Sequence, residues 1–258
     1  MLPAACLFAQ DEKDWLSMSF RYLEQNKLDS AEIALKTVLQ NDPDNPLNPL
    51  LLNNLGTIQR RIGKLDDALL SYTAALGQFP ANMVFLEARA SLFAEMGQAN
   101  NAIIDYSALL NQAPNNEEAL FQRGMLYLKV KNTDYAELDF QKMLELNPSG
   151  LYARRGFASL AKIRGNFEEA EKIYNYLIDK EPEDFNLYAG RAELYLLIEK
   201  PGKAYTDINR AIRLAGEEFQ NPYFYITRYR TKLLLHEEES ALNDLKKAIA
   251  LGYKDPGT

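Results

Sequence analysis

The sequence predicts an all-α protein built as a stack of helical hairpins, and three observations carry that expectation. An alanine recurs at Ala31, Ala68, Ala102, Ala136, Ala170, Ala204 and Ala241, with spacings of 37, 34, 34, 34, 34 and 37 residues. Between these marks, apolar and small residues fall three and four apart in two runs, parted by a turn such as Gly63-Lys64. Proline closes five of the units, at Pro43, Pro80, Pro114, Pro148 and Pro182, where a residue without a backbone donor ends one hairpin and presets the next turn. A fixed period of this size outweighs any domain count taken from 258 residues and points to one elongated stack.

Seven units are expected, at 12–45, 49–82, 83–116, 117–150, 151–184, 185–218 and 222–253, after a segment at 1–10 and before a tail at 254–258. The first sets Trp15, Met18, Ser19 and Tyr22 on one helix face and Ala31, Leu35 and Val38 on the next. After an insertion at Pro46 to Asn48, the second supplies Leu52, Leu55, Gly56, Gly63, Ala68, Tyr72 and Ala75. Ala90, Phe93, Gly97 and Tyr106 mark the third unit, and Gly124, Tyr127 and Phe140 the fourth. In the fifth, Ala158 takes the small position before Gly165 and Tyr174. The sixth ends at Gly216 in place of proline, and the seventh places Tyr229 at the small position. Gly or Ala at these places lets helices approach closely, and the aromatics at 72, 106, 140 and 174 fill the layers between them.

These residue types and spacings resemble the tetratricopeptide repeat, a 34-residue helical hairpin whose pattern begins with Trp and ends with Pro. The resemblance covers about Glu12 to Tyr253. It implies a right-handed superhelix with its first helices on the concave side, and a non-catalytic scaffold holding a peptide segment or protein surface there without a cofactor. The residues expected to face that groove are Leu16, Phe20 and Leu23, then Asn53, Arg60 and Arg61, then Phe121, Met125 and Leu128. Tyr152, Arg155 and Lys162 continue the face, followed by Leu196 and Leu197, then Ile226, Arg230 and Leu233. Family members that clamp a chaperone's terminal carboxylate use a set of Lys, Asn and Arg that only Asn54 matches here, so that mode is not expected. The alternative is a self-assembling component of a cell-envelope complex, joined through uncapped ends where Leu242 and Ile249 need a neighbour.

Comparison of the units with one another adds a further expectation. Arg89 and Asp105, Arg123 and Asp139, Arg191 and Asp207, and Arg228 and Asp244 stand sixteen apart at matching places. In the other units both members are absent together, replaced by Met18 and Ala34, Leu55 and Ser71, and Phe157 and Ile173. Joint presence and joint absence predict an ion pair inside each of those four hairpins, fixing register and, as a partly exposed pair, contributing about 0–1 kcal/mol.

A formal charge of -7 without a basic block argues against a nucleic-acid partner. His236, the only histidine, is expected in a solvated turn beside Glu237, Glu238 and Glu239. No Cys/His ligand spacing, phosphate loop or nucleophile elbow is present in the sequence, so no enzyme or metal site is expected. No stretch is long and apolar enough to span a membrane. The segment LPAACLFAQ, which holds Cys6, resembles the end of a secretory signal peptide like those of Bacteroides-group envelope proteins, although a basic leader is missing. Export to the periplasm or cell envelope is the expectation, with a cytoplasmic protein as the alternative. Acylation of Cys6 is disfavoured by Pro3.

Overall fold

A computed structural model describes residues 15–216 and 221–254. The expected leader segment, with Cys6, lies outside these residues. All fourteen regular elements in them are helices: α1 over 15–24, α2 (Leu28–Asn41), α3 (Asn48–Arg61), α4 (Leu65–Gln78), α5 (Met83–Glu95), α6 (Ala99–Gln112) and α7 (Glu117–Lys129). They continue as α8 (Thr133–Leu146), α9 (Leu151–Ile163), α10 (Phe167–Lys180), α11 (Phe185–Leu197), α12 (Pro201–Ala215), α13 (Pro222–Leu234) and α14 (Glu238–Ala250). The chain is thus an all-α array of helix-turn-helix repeats. Its helices gather into two compact units, one ending at Lys131 and the other starting at Asn132.

Each turn between a first and a second helix contains a left-handed residue at the same place. Gly63, Gly97 and Gly165 lie at φ of +81°, +76° and +78°, and Asn26, Lys131, Glu199 and His236 lie between +53° and +62°. The next residue donates back across the turn to close the helix, as Lys64 N does to Gln59 O at 2.8 Å and Lys200 N to Tyr195 O at 2.8 Å. His236 is therefore a turn residue, and its exposure follows from that geometry. A side chain at Glu199 works against this conformation, so Glu199→Gly is expected to stabilise the chain by about 0.5–1 kcal/mol, read as a rise in the urea midpoint.

The seven alanines that set the period are fully buried, and the aromatics between layers are buried with them. At three of these rings a first helix that comes close carries glycine. A Cβ on Gly56 would stand 2.7 Å from the Tyr72 ring, on Gly156 2.5 Å from Phe140, and on Gly190 2.7 Å from the Tyr174 hydroxyl.

The arginines form more than the expected bridge. Arg89 donates from Nε and Nη2 to both Asp105 carboxylate oxygens at 2.8 Å. Arg191 does the same to Asp207 at 2.7 and 2.8 Å, and Arg228 to Asp244 at 3.0 and 2.5 Å. Each has a third partner on the second helix of the preceding hairpin: Arg89 Nη1 donates to Thr73 at 3.4 Å, Arg191 Nη1 to Asn175 at 2.6 Å, and Arg228 Nη1 to Asn209 at 3.0 Å. Arg123 reaches Ser107 in the same way at 3.0 Å. Asp139, the expected mate of Arg123, belongs to the other compact unit. The low energetic weight expected for these pairs needs correction. In the Arg191–Asp207 pair the side chains are only 17% and 6% exposed, because the guanidinium is sandwiched among three helices. Burial alone would lower the Arg191 pKa, but its hydrogen bond to Asp207 and the attraction of Asp207, Tyr195 and Tyr188 together outweigh burial and raise it.

The first two hairpins use a different polar junction. Glu32, 4% exposed, accepts from Lys36 and Lys64, each at 2.6 Å, and from Gln59 Nε2 at 3.3 Å, while Ser71 Oγ donates to Gln59 Oε1 at 2.7 Å. Burial pushes the Glu32 carboxyl up, but the bonds from Lys36, Lys64 and Gln59 outweigh it and hold the pKa at about 2. A lowered folded-state value means that the stabilisation is complete above the ordinary pKa of 4.5 and fades as pH falls towards 2. Glu32→Gln is expected to cost about 1–2 kcal/mol at neutral pH, a figure discounted because both lysines are half exposed. Urea titrations of the two chains should converge between pH 4.5 and 2.

Candidate partner-binding site

The sequence assigned seventeen residues to a continuous face of first helices, and the structure divides them. In the first unit, Leu16 and Leu23 are half-buried against the core of Leu35, Leu51 and Leu55, whereas Phe20 is exposed. Asn53 is half-buried, Arg60 pairs with Glu95 at 2.5 Å, and Arg61 donates to Asn26 at 3.0 Å. Phe121 and Met125 on α7 are half-buried. In the second unit, Arg155 is held by Glu181 and Asp184, both at 2.5 Å, with the exposed Tyr152 ring 5.3 Å away.

Two assignments are corrected. Leu128 and Ile226 are each 5% exposed, because their positions on the first helix turn inward to the packing between helices. Neither can present a free side chain, although one edge of Ile226 reaches a cavity floor.

Six of the assigned residues meet at one place. Lys162 from α9, Leu196 and Leu197 from α11, and Ile226, Arg230 and Leu233 from α13 line a cavity of about 630 Å³. Leu234, Thr227 and Tyr223 complete the α13 side, and Tyr253, just beyond α14, sets its ring edge-on to Tyr223 at 6.0 Å. Lys162 donates to Glu193 at 2.7 Å across the gap between α9 and α11. Burial would lower the lysine pKa, but Tyr174 and Glu193 outweigh it and raise it, so Lys162 remains charged. The site is thus an apolar trough with one fixed ion pair at one side and the exposed Arg230 at the other. Its volume falls in the range of about 300–1,000 Å³ that binding pockets occupy.

Tyr253 was not among the assigned residues. No periodic signal marks it, because it lies where Pro80 and Pro114 stand in earlier repeats. Glu193 was missed because its role as the mate of Lys162 links consecutive first helices rather than the two helices of one hairpin.

Among the described residues, no group of three or more His, Cys, Asp or Glu side chains is placed to hold a metal ion, and no helix is long and apolar enough to cross a membrane.

Family models described as tetratricopeptide repeat match residues 21–82 and 117–149. A solved tetratricopeptide repeat protein from Parabacteroides merdae is 43% identical over 95% of this chain and 95% of that one, with a TM-score of 0.89. The chain belongs to the tetratricopeptide repeat family. A FAM10 family protein of Arabidopsis thaliana is 29% identical over 101 residues, and this tetratricopeptide repeat chain spans 22% of that relative's length. YrrB, a tetratricopeptide repeat protein with an unusual peptide-binding site, is 16% identical over 80% of this chain and 98% of that one, with a TM-score of 0.51, and shares the fold. Tetratricopeptide repeat proteins are generally non-catalytic scaffolds for protein or peptide partners.

Proposed function

We propose that this tetratricopeptide repeat chain is an interaction scaffold that holds an apolar peptide segment against α9, α11 and α13. The observation that carries the reading is the trough that Leu196, Leu197, Leu233, Leu234 and Tyr223 line together with the charged Lys162, Glu193 and Arg230. Apolar and aromatic anchors in a concavity, ringed by polar groups, are what a bound segment uses to gain affinity and orientation. The peptide-binding site of YrrB is a precedent within the fold.

Panning a random peptide library on the full chain tests this reading. The wild-type chain should enrich peptides with spaced apolar anchors, and Leu197→Asp combined with Leu233→Asp should weaken the winners at least tenfold by fluorescence anisotropy, since anchor losses cost about 1–2 kcal/mol or more each. Both residues are exposed, so the helical signal should not change. Equal binding by the two chains would refute the assignment.

The exported location expected from LPAACLFAQ belongs to the same proposal, and fractionation of the source cells checks it. A second reading, self-association, is favoured by α14, where Ile249 is exposed at a place whose counterparts Leu76 and Leu110 are buried. Sedimentation at rising concentration tests it, and a constant monomer mass would remove it.

A further inference from the structure

The hairpin of α9 and α10 is one of those without an Arg-Asp bridge, carrying Phe157 and Ile173 instead. In the hairpins of α5, α11 and α13, the guanidinium fills the junction of three helices. At the equivalent junction the Phe157 ring turns edge-on to Phe140, with centroids 5.8 Å apart, and a cavity of about 540 Å³ remains between α8, α9 and α10. Its floor is apolar, formed by Leu144, Phe157, Leu160 and Ile173.

The mouth is polar and its two ends differ in charge. At one end Arg164 is neutralised by Asp134 at 3.0 Å and Glu137 at 2.8 Å. At the other, Arg154 donates to the carbonyls of Gly150 and Pro148, at 2.9 and 2.8 Å, and lies over the Tyr176 ring at 5.5 Å. Lys172 and Glu169 share the rim, three residues apart on α10. The charged residues that line the slot are Arg154, Arg164 and Lys172 against Glu137 and Glu169, one net positive charge in a chain whose total is -7.

We propose that this slot binds a small amphiphilic anion, an alkyl chain of medium length ending in a carboxylate. The alkyl body would lie on the Leu144, Phe157 and Ile173 floor, and the carboxylate would sit between Arg154 and Lys172. The volume suits one such molecule, and a charge-assisted bond at the mouth orients it. The slot shares no lining residue with the trough on α9, α11 and α13, so the two sites are distinct.

Calorimetric titration of the full chain with decanoate, below its micelle concentration, and with decanol tests the proposal. Saturable one-to-one binding of decanoate is expected, with decanol at least fivefold weaker. Phe157→Arg together with Ile173→Asp rebuilds the bridge of the other hairpins and should reduce decanoate binding more than tenfold. Lys172→Glu, on an exposed rim residue, should weaken decanoate about fivefold to tenfold and leave decanol unchanged. No saturable binding by the wild-type chain, equal affinities for decanoate and decanol, or undiminished decanoate binding by Lys172→Glu would each overturn it.

Discussion

Arg191→Met is expected to destabilise the chain by about 3–5 kcal/mol, because it leaves the buried Asp207 carboxylate without either of its two charge-assisted bonds. The same change removes the bond to Asn175, so α10, α11 and α12 lose a shared fastening. Coupling this with Asp207→Leu should recover most of the loss, since well-packed apolar residues replace buried ion pairs at little cost. The α9–α10 hairpin, with Phe157 and Ile173 at the matching places, shows that the fold accepts an apolar junction. Urea unfolding of the single and double variants separates the two effects. A loss below about 1 kcal/mol for Arg191→Met would return the pair to the rank of a surface bridge.

Gly156→Val is expected to cost about 3 kcal/mol or more, because even a Cβ would stand 2.5 Å from the Phe140 ring, itself fully buried. The ring cannot retreat without disturbing its edge-on contact with Phe157. Gly77 is the control. It lies in α4 with nothing within 4 Å of its would-be Cβ, so Gly77→Ala should stabilise by about 0.5–1 kcal/mol through helix propensity alone. Opposite signs in the thermal midpoints would distinguish close approach from backbone freedom.

The repeat fold was legible because a solenoid states its packing rule seven times. Ala68 and Tyr72 recur in type at fixed offsets, and the Arg-Asp partners are visible because they come and go together. Their third partner was not, although a signal existed. Thr73, Ser107, Asn175 and Asn209 stand one residue after the layer-filling positions 72, 106, 174 and 208, each ahead of a hairpin that carries the arginine. Lys36 and Gln141 hold that place ahead of hairpins that do not. The link joins neighbouring hairpins, so a comparison confined to single hairpins passes over it.

The site was legible only in part, because facing the first-helix side does not guarantee exposure. Leu197 and Ile226 are both apolar first-helix residues, yet one is 58% exposed and the other 5%. What separates them is the covering by neighbouring helices, which hydropathy does not encode. The reverse case is seen on the second helices, where Ile33, Leu70 and Ile104 occupy one repeat position and are 61%, 70% and 64% exposed. The slot beside Phe157 was hidden for another reason: the residue types announce an apolar junction, but its volume depends on which way the ring turns.

The most direct test of the scaffold reading is site-specific photo-crosslinking. A photoreactive residue replaces Leu197 in one chain and Leu138, exposed on α8, in another, and each is irradiated with the library-selected peptide. A covalent adduct is expected from position 197, competed by unlabelled peptide, and none from position 138. Adducts from 138 alone, or equally from both, would contradict it and move the binding surface away from α9, α11 and α13.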